Sequence, residues 1–375
     1  MKKRVLAVIM GMAMAVSAFA PVYAAETEAA ENTGEEEMKE ESGGGVTDFT
    51  SSGFGSKKDE TLKILVMPKV LGLPFYEHSE EGGVEAQDDF NVEVIFDGPT
   101  EADATAQVTM LEDYIAQGDI DCICIAPNDP DTLAPVLQDA KDQGIMVQYF
   151  DSMANDEDID CGVSPCTTET VAQSFWDSMV EQMGDTGDYV VFTGGATAAN
   201  LNTWIAAGEE YAKEKYPDLN EVTSAIATEE SSQMAYEKAT EALKAYPDLK
   251  GIICMSSATG PGVCQAVAEA GKTEDIAVIT MTTPNAIADY LKDGSSDLNI
   301  IWDPAYMVYA NCYMARMYFD GENINDGADI AGAAKDGTGK YATTINNLEV
   351  DESGLHMTLG EPLFMNKDNV ADWDF

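Results

Sequence analysis

A repeated rhythm of apolar strand, turn and amphipathic helix constrains this chain more than any other feature. Leu62–Met67, Val92–Phe96, Ile120–Ile125 and Ile145–Phe150 are short apolar runs. They stop at Pro68-Lys69, at Asp97-Gly98-Pro99, at Ala126-Pro127-Asn128 and at Asp151. The rhythm continues beyond Asp151. Patterning predicts helices over 168–183, 202–215, 231–246, 262–270 and 306–319. It predicts strands over 188–193, 222–227, 251–255, 276–281 and 298–302, and 322–375 reads as mixed and β-rich. Alternation of this kind implies parallel sheets covered on both faces.

Four strands precede Asp151 and about five follow it, which predicts two lobes. The long helix after Asp303 is expected to return to the first sheet. Residues 60–151 and 304–321 then form the first lobe, and 152–303 and 322–375 the second. The chain would cross between them near Asp151, near Asp303 and after Gly321. Several crossings make a hinge with a cleft beside it.

Open parallel sheets gather ligand-touching groups at the carboxyl ends of their strands. Lys69, Asn128 and Asp151 should therefore crowd one edge of one sheet. Lys69 can donate to a ligand oxygen, and Asp151 can accept two hydroxyls. Asp129 and Pro130 suit the cap and first turn of a helix, which leaves Asn128 free for the cleft. Phe75 and Tyr76 offer aromatic faces for a sugar ring, or else helix-to-sheet packing. Asn200 and Asn202, with Trp204, follow the first strand of the second lobe and can supply the opposite wall, although Asn200 also suits a helix cap. Ser256, Ser257 and Thr282 are further strand-end hydroxyls. Asp303 sits at a lobe crossing after Ile301-Trp302, as Asp151 does after Tyr149-Phe150.

The N-terminus sets the expected compartment. Lys2, Lys3 and Arg4 precede an uncharged apolar run from Val5 to Phe19, and Val22-Tyr23-Ala24 suits cleavage before Ala25. That pattern predicts a signal peptide over 1–24 rather than a membrane span. With no cysteine before Cys122, a lipid anchor is not expected. Residues 25–59 read as an acidic, disordered tether, with nine carboxylates from Glu26 to Asp48 against Lys39. The whole chain carries 20 Lys+Arg against 68 Asp+Glu, a net charge of −48. A field of that sign repels nucleic acid and anionic lipid.

Catalytic and metal chemistry have little support. There are two histidines, and no G-x-S-x-G elbow, P-loop, H-E-x-x-H or C-x-x-C motif occurs. Of seven cysteines, Cys161 and Cys166 lie close in sequence and can either pair or stay free. Neither a cofactor, a metal nor enzymatic activity is expected.

The folded part, from Leu62 to Phe375, resembles the sugar-type periplasmic substrate-binding proteins of ABC importers, in the branch of rhamnose and autoinducer-2 binders. Met67-Pro-Lys-Val-Leu-Gly72, Phe96-Asp-Gly-Pro-Thr-Glu101, Thr283-Pro-Asn285, Ile301-Trp-Asp303 and Phe364-Met-Asn-Lys-Asp-Asn369 carry the likeness. So do Gln107–Ile125, Gln143–Ser152 and the closing Asp374-Phe375. The resemblance implies a periplasmic-binding-protein type I fold, two doubly wound parallel-sheet lobes joined by a hinge. In the autoinducer-2 binders a lysine after the first strand and an aspartate after the fourth hold the ligand, and they match Lys69 and Asp151. Where those binders have an Asp-Gln pair this chain has Asn200-Leu201, and Met255-Ser256-Ser257 replaces a Pro-Asp-Ala segment. The altered second lobe favours a sugar or related uncharged polyol over autoinducer-2. The resemblance further implies an exported monomer that delivers its ligand to a membrane permease. A module presenting the ligand to a membrane receptor is the alternative.

Overall fold

The computed structural model describes residues 53–322, 341 and 348–375. The expected leader and most of the expected tether lie outside them. In chain order the strands are β1 (Leu62–Met67), β2 (Val92–Phe96), β3 (Cys122–Ile125), β4 (Met146–Phe150), β5 (Cys161–Ser164), β6 (Thr186–Thr193), β7 (Asp218–Glu221), β8 (Ile226–Ala227), β9 (Leu249–Met255), β10 (Ala277–Thr280), β11 (Leu298–Ile301), β12 (Glu349–Val350), β13 (His356–Thr358) and β14 (Leu363–Met365). The helices are α1 (Pro74–Phe90), α2 (Ala104–Gln117), α3 (Pro130–Asp142), α4 (Thr168–Met183), α5 (Ala199–Lys215), α6 (Ser232–Ala245), α7 (Thr259–Glu269), α8 (Pro284–Asp293) and α9 (Pro304–Asp320).

Two α/β lobes result. The first sheet runs β12-β13-β5-β4-β3-β1-β2, and the second runs β14-β11-β10-β9-β6-β7 with β8 also on β6. Among the described strands, pairing is parallel except at β12–β13 and β11–β14. The central strands are buried on both faces, as helix-covered parallel strands must be. In the first sheet the order reverses at β1 beside β3, and in the second at β6 beside β9. These are the switch points at which a crevice opens.

The lobe boundaries differ from the expected ones. β5 follows Asp151 yet pairs with β4, so the first crossing falls between Ser164 and Thr168. β13 pairs with β5, so residues 349–358 belong to the first lobe and the last crossing falls between Thr358 and Leu363. The reason is packing that a four-residue strand does not announce. A Cβ at Gly162 would lie 2.1 Å from the Tyr149 ring, so glycine lets β5 close on β4. Of the strand expected over 222–227 only 226–227 forms, as β8, and the unexpected β7 precedes it; both pair with β6. The last part of the expected tether, 53–59, is tied to α9. Gly55 N donates to Tyr318 O at 2.9 Å, and the buried Arg316 guanidinium donates to Lys57 O at 2.9 Å and Glu60 O at 2.7 Å. Three backbone carbonyl contacts of this kind leave the segment little freedom.

α9 does return to the first sheet, packing on α1 and on β1, β3, β4 and β5. Its sides are almost wholly buried. Gly82 of α1 makes the close approach possible, since a Cβ there would meet Ala305 O at 2.0 Å. The His78 ring is clasped at this junction. It stacks on Phe375 at 4.5 Å between centroids, and its Nε2 lies 3.0 Å from Asp303 Oδ1. Phe375 O accepts from Asn285 N of α8, so the C-terminal aromatic links the second lobe to α1 of the first. All seven cysteines are buried and unpaired, so Cys161 and Cys166 are not joined.

One carboxyl in the second lobe sets a pH dependence. Burial pushes Glu221 up to about 7, and Glu209 of α5 adds to the rise. The fold thus holds this proton more tightly than the unfolded chain, where the group titrates near 4.5. The stability it confers is full below that value and is lost as pH rises through about 7. Glu221→Gln should flatten this slope, and urea unfolding above pH 7 should show a gain of roughly 1 kcal/mol after solvent screening. An unaltered pH slope would contradict the assignment.

Candidate functional site

The carboxyl ends of both sheets face one small cavity. Lys69, Leu73, Phe75, Tyr76 and Asp151 line it from the first lobe. Asn200, Leu201, Trp204, Glu230, Ser256, Ser257, Met281 and Trp302 line it from the second. Lys69 follows β1, Asp151 follows β4, Glu230 follows β8, Ser256 follows β9, Met281 follows β10 and Trp302 follows β11. The parallel winding that delivers every strand end to the same edge therefore builds the cavity.

Lys69 and Asp151 are both buried. Burial pushes the lysine's pKa down, while the charges of Asp151 and Glu230 pull it back up. Burial likewise pushes the Asp151 carboxyl above its ordinary value, and Lys69 and the Tyr76 hydroxyl oppose that rise. The Tyr76 hydroxyl donates to Asp151 Oδ2 at 3.0 Å. Asp151 adopts φ +60°, a left-handed conformation in which aspartate is less strained than most residues. Its backbone N–H is bonded to Val163 O of β5, which holds the turn.

Asn200 bridges the two lobes. Its Oδ1 accepts from Lys69 Nζ at 3.0 Å and from Ser152 Oγ at 3.3 Å. Its Nδ2 donates to Asp151 Oδ2 at 3.4 Å. It does not cap its helix, because α5 begins after Ala198 without a side-chain cap. Aromatic rings stand on both sides. Phe75 and Tyr76 meet edge to face at 5.2 Å, and Trp204 and Trp302 do the same at 5.2 Å across the other wall. Apolar ring faces with a few convergent polar groups describe a site for a small molecule with many hydroxyls.

Of the residues singled out in the sequence, Lys69, Phe75, Tyr76, Asp151, Asn200 and Ser257 come together here. Asn128, Asn202 and Asp303 do not line the cavity. Asn128 turns back and donates to Lys69 O at 2.8 Å, so it holds the lysine's loop. Gln107 completes that support by bonding Pro68 O, Ala126 O and Asn128 N. Asn202 is exposed and donates to Ala196 O. Asp303 caps α9 at Ala305 N and faces His78. Glu230 and Trp302 were not among the chosen residues, although Trp302 stands directly after β11 and Glu230 three positions after β8, the same kind of signal that pointed to Lys69 and Asp151.

Residues 64–323 match the model of the periplasmic binding protein domain family. The chain belongs to that family. A xylitol-binding protein of Mycolicibacterium smegmatis is 25% identical over 217 residues, 55% of this chain and 59% of that protein, so the match spans little more than half of the relative. LsrB of Clostridium saccharobutylicum, solved in complex with AI-2, superposes with a TM-score of 0.75 at 26% identity, covering 84% of this chain and all of that one. A solute-binding protein of Clostridium phytofermentas with bound L-rhamnose shares the fold, with a TM-score of 0.72 at 24% identity over 84% of this chain and 98% of that one. The relatives are substrate-binding proteins, which do no chemistry on what they hold. No helix among the described residues is long and apolar enough to cross a membrane.

The buried charges make a stability prediction. Asp151→Ala removes a carboxylate whose charge favours the buried Lys69 ammonium, and leaving that ammonium less compensated should cost about 1–3 kcal/mol. Urea unfolding should show that loss near neutral pH. The loss should shrink in alkaline buffer, where the stranded lysine sheds its proton. A variant as stable as the parent near neutral pH would contradict this electrostatic coupling.

Proposed function

We propose that this protein captures a sugar or sugar-like polyol of monosaccharide size between its lobes and hands it to an ABC permease. One observation carries the reading: a cavity lined by both lobes holds a buried ammonium and a buried carboxylate between aromatic walls. Lys69 would donate to ligand oxygens. Asp151 would accept hydroxyls, with Asn200 and Ser257 acting from the opposite lobe. Phe75, Tyr76, Trp204 and Trp302 would cover the ring or chain carbons.

A hydrogen bond to a charged group contributes roughly 1.5–3 kcal/mol. A few of these offset the cost of ordering ligand and lobes. Ligand that touches both lobes favours the closed arrangement over the open one, and a permease can read that difference. The polyol in the name of the M. smegmatis relative and the AI-2 held by the C. saccharobutylicum structure support a small polar ligand. The basic start and apolar run of 1–24 support export, with 25–52 as a spacer. Asn128, Asn202 and Asp303 serve the reading indirectly, by shaping the loops and crossings around the cavity.

A thermal-shift screen against pentoses, hexoses, deoxyhexoses, pentitols and AI-2 tests the reading. At least one should raise the melting temperature by several degrees, as saturating ligand does through mass action. Lys69→Ala and Asp151→Ala should each weaken that ligand by about 100-fold or more, in keeping with lost charge-assisted bonds. Stabilisation that survives both substitutions would place the ligand elsewhere.

A further inference from the structure

We propose that the cavity prefers a monosaccharide or polyol bearing a protonated amine over its all-hydroxyl counterpart, and that Glu230 reads the amine. The inference rests on the sugar-capture reading and narrows its chemistry. It also departs from the uncharged guest suggested by the sequence.

The first argument is charge. Lys69 is the cation among the described residues that line the cavity, against the two carboxylates of Asp151 and Glu230. Lys69 and Asp151 offset one another, which leaves Glu230 in excess. Both bonded partners of its carboxylate are neutral: Gly195 N donates to Oε1 at 3.2 Å, and Ser256 Oγ donates to Oε2 at 2.5 Å. A half-buried carboxylate bonded only to neutral groups, in a lining of one cation and two carboxylates, favours a ligand that brings positive charge.

The second argument is construction. Glu229 and Glu230 adopt φ +50° and +53°, consecutive left-handed conformations that cost about 1–2 kcal/mol per residue. Thr228 N and Glu229 N bond Gly194 O and hold the loop against β6. Gly194 leaves the space for the acid, because a Cβ there would lie 1.8 Å from Glu230 Oε1. Strain tolerated to aim one side chain inward points to use of that side chain.

The third argument is the approach and the lining. Glu230 also borders the outer groove, with Glu229 and Glu101, and no cation lines that groove among the described residues. An entering ammonium meets favourable charge along the way, whereas sugar phosphates and uronates are repelled. Inside, the Trp204 and Trp302 rings supply faces that attract a cation. The Trp302 indole N–H acts on the Asp151 carboxyl and opposes the rise that burial causes there.

Titration calorimetry on the purified full chain at about pH 6, where a sugar amine is protonated, tests the proposal. The probes are glucosamine against glucose, galactosamine against galactose, and 1-amino-1-deoxyxylitol against xylitol. The N-acetyl sugars serve as uncharged controls. At least one amine should bind about ten-fold or more tightly than its hydroxyl partner, with its N-acetyl form binding no better than the hydroxyl form. In Glu230→Gln that ratio should fall to about one or below, and in Glu230→Asp, which keeps the charge, it should stay above one. If hydroxyl probes bind as tightly as amines in the parent protein, this inference fails and the sugar-capture reading stands. An unchanged ratio in folded Glu230→Gln removes Glu230 from the role. Silence from every probe, amine and hydroxyl alike, overturns both readings.

Discussion

Parallel strands can be joined only by crossovers, and every such strand ends on the same edge of its sheet. The rest of this structure depends on that constraint. It brings Lys69 and Asp151 together although 82 positions separate them in the chain. It also places the strand ends of the second lobe opposite them, because the chain crosses between lobes three times among the described residues. Glycines at 82 and 162 then allow helix and strand to close to backbone distance where the first lobe meets the crossings.

Charge within the cavity follows from that geometry. Burial acts on Lys69 and Asp151 in opposite directions, lowering one pKa and raising the other, so each is steadied by its neighbour. Tyr76 and Asn200 both donate to Asp151 Oδ2, and Asn200 also accepts from Lys69. Such a network is costly to leave half-made and specific when completed. Glu230 adds a second carboxylate from the other lobe, anchored by a glycine-lined turn rather than by a cation. The cavity is therefore anionic, in keeping with a chain of net charge −48.

Legibility varied with the length of the physical signal. β1, β2 and α4 could be read to the residue, because apolar runs and helical spacing end sharply at polar or turn residues. β5 was missed, because four residues containing a glycine carry no periodicity and its place is decided by Tyr149 of the neighbouring strand. The lobe boundary at Asp151 moved for the same reason. Residues 53–59 read as tether because their composition gives nothing to bury, yet Arg316 holds them through backbone carbonyls. Asn128 occupies the right edge, but its side chain turns back to the Lys69 carbonyl. Asp303 likewise caps α9 rather than reaching the cavity. Glu230 was hidden among 68 acids, where a carboxylate in sequence is almost uninformative.

The sequence by itself determined the class of fold, the sheet edge at which the strands end, and the placement of Lys69 and Asp151 on that edge. Those follow from period, strand length and strand end, which are local properties of the chain. Only the tertiary structure decided which side chains at that edge point inward. It also decided where the chain changes lobes and which carboxylate has only neutral bonded partners. Direction, partner and burial are set by the chain that packs alongside, and that chain comes from far away in sequence.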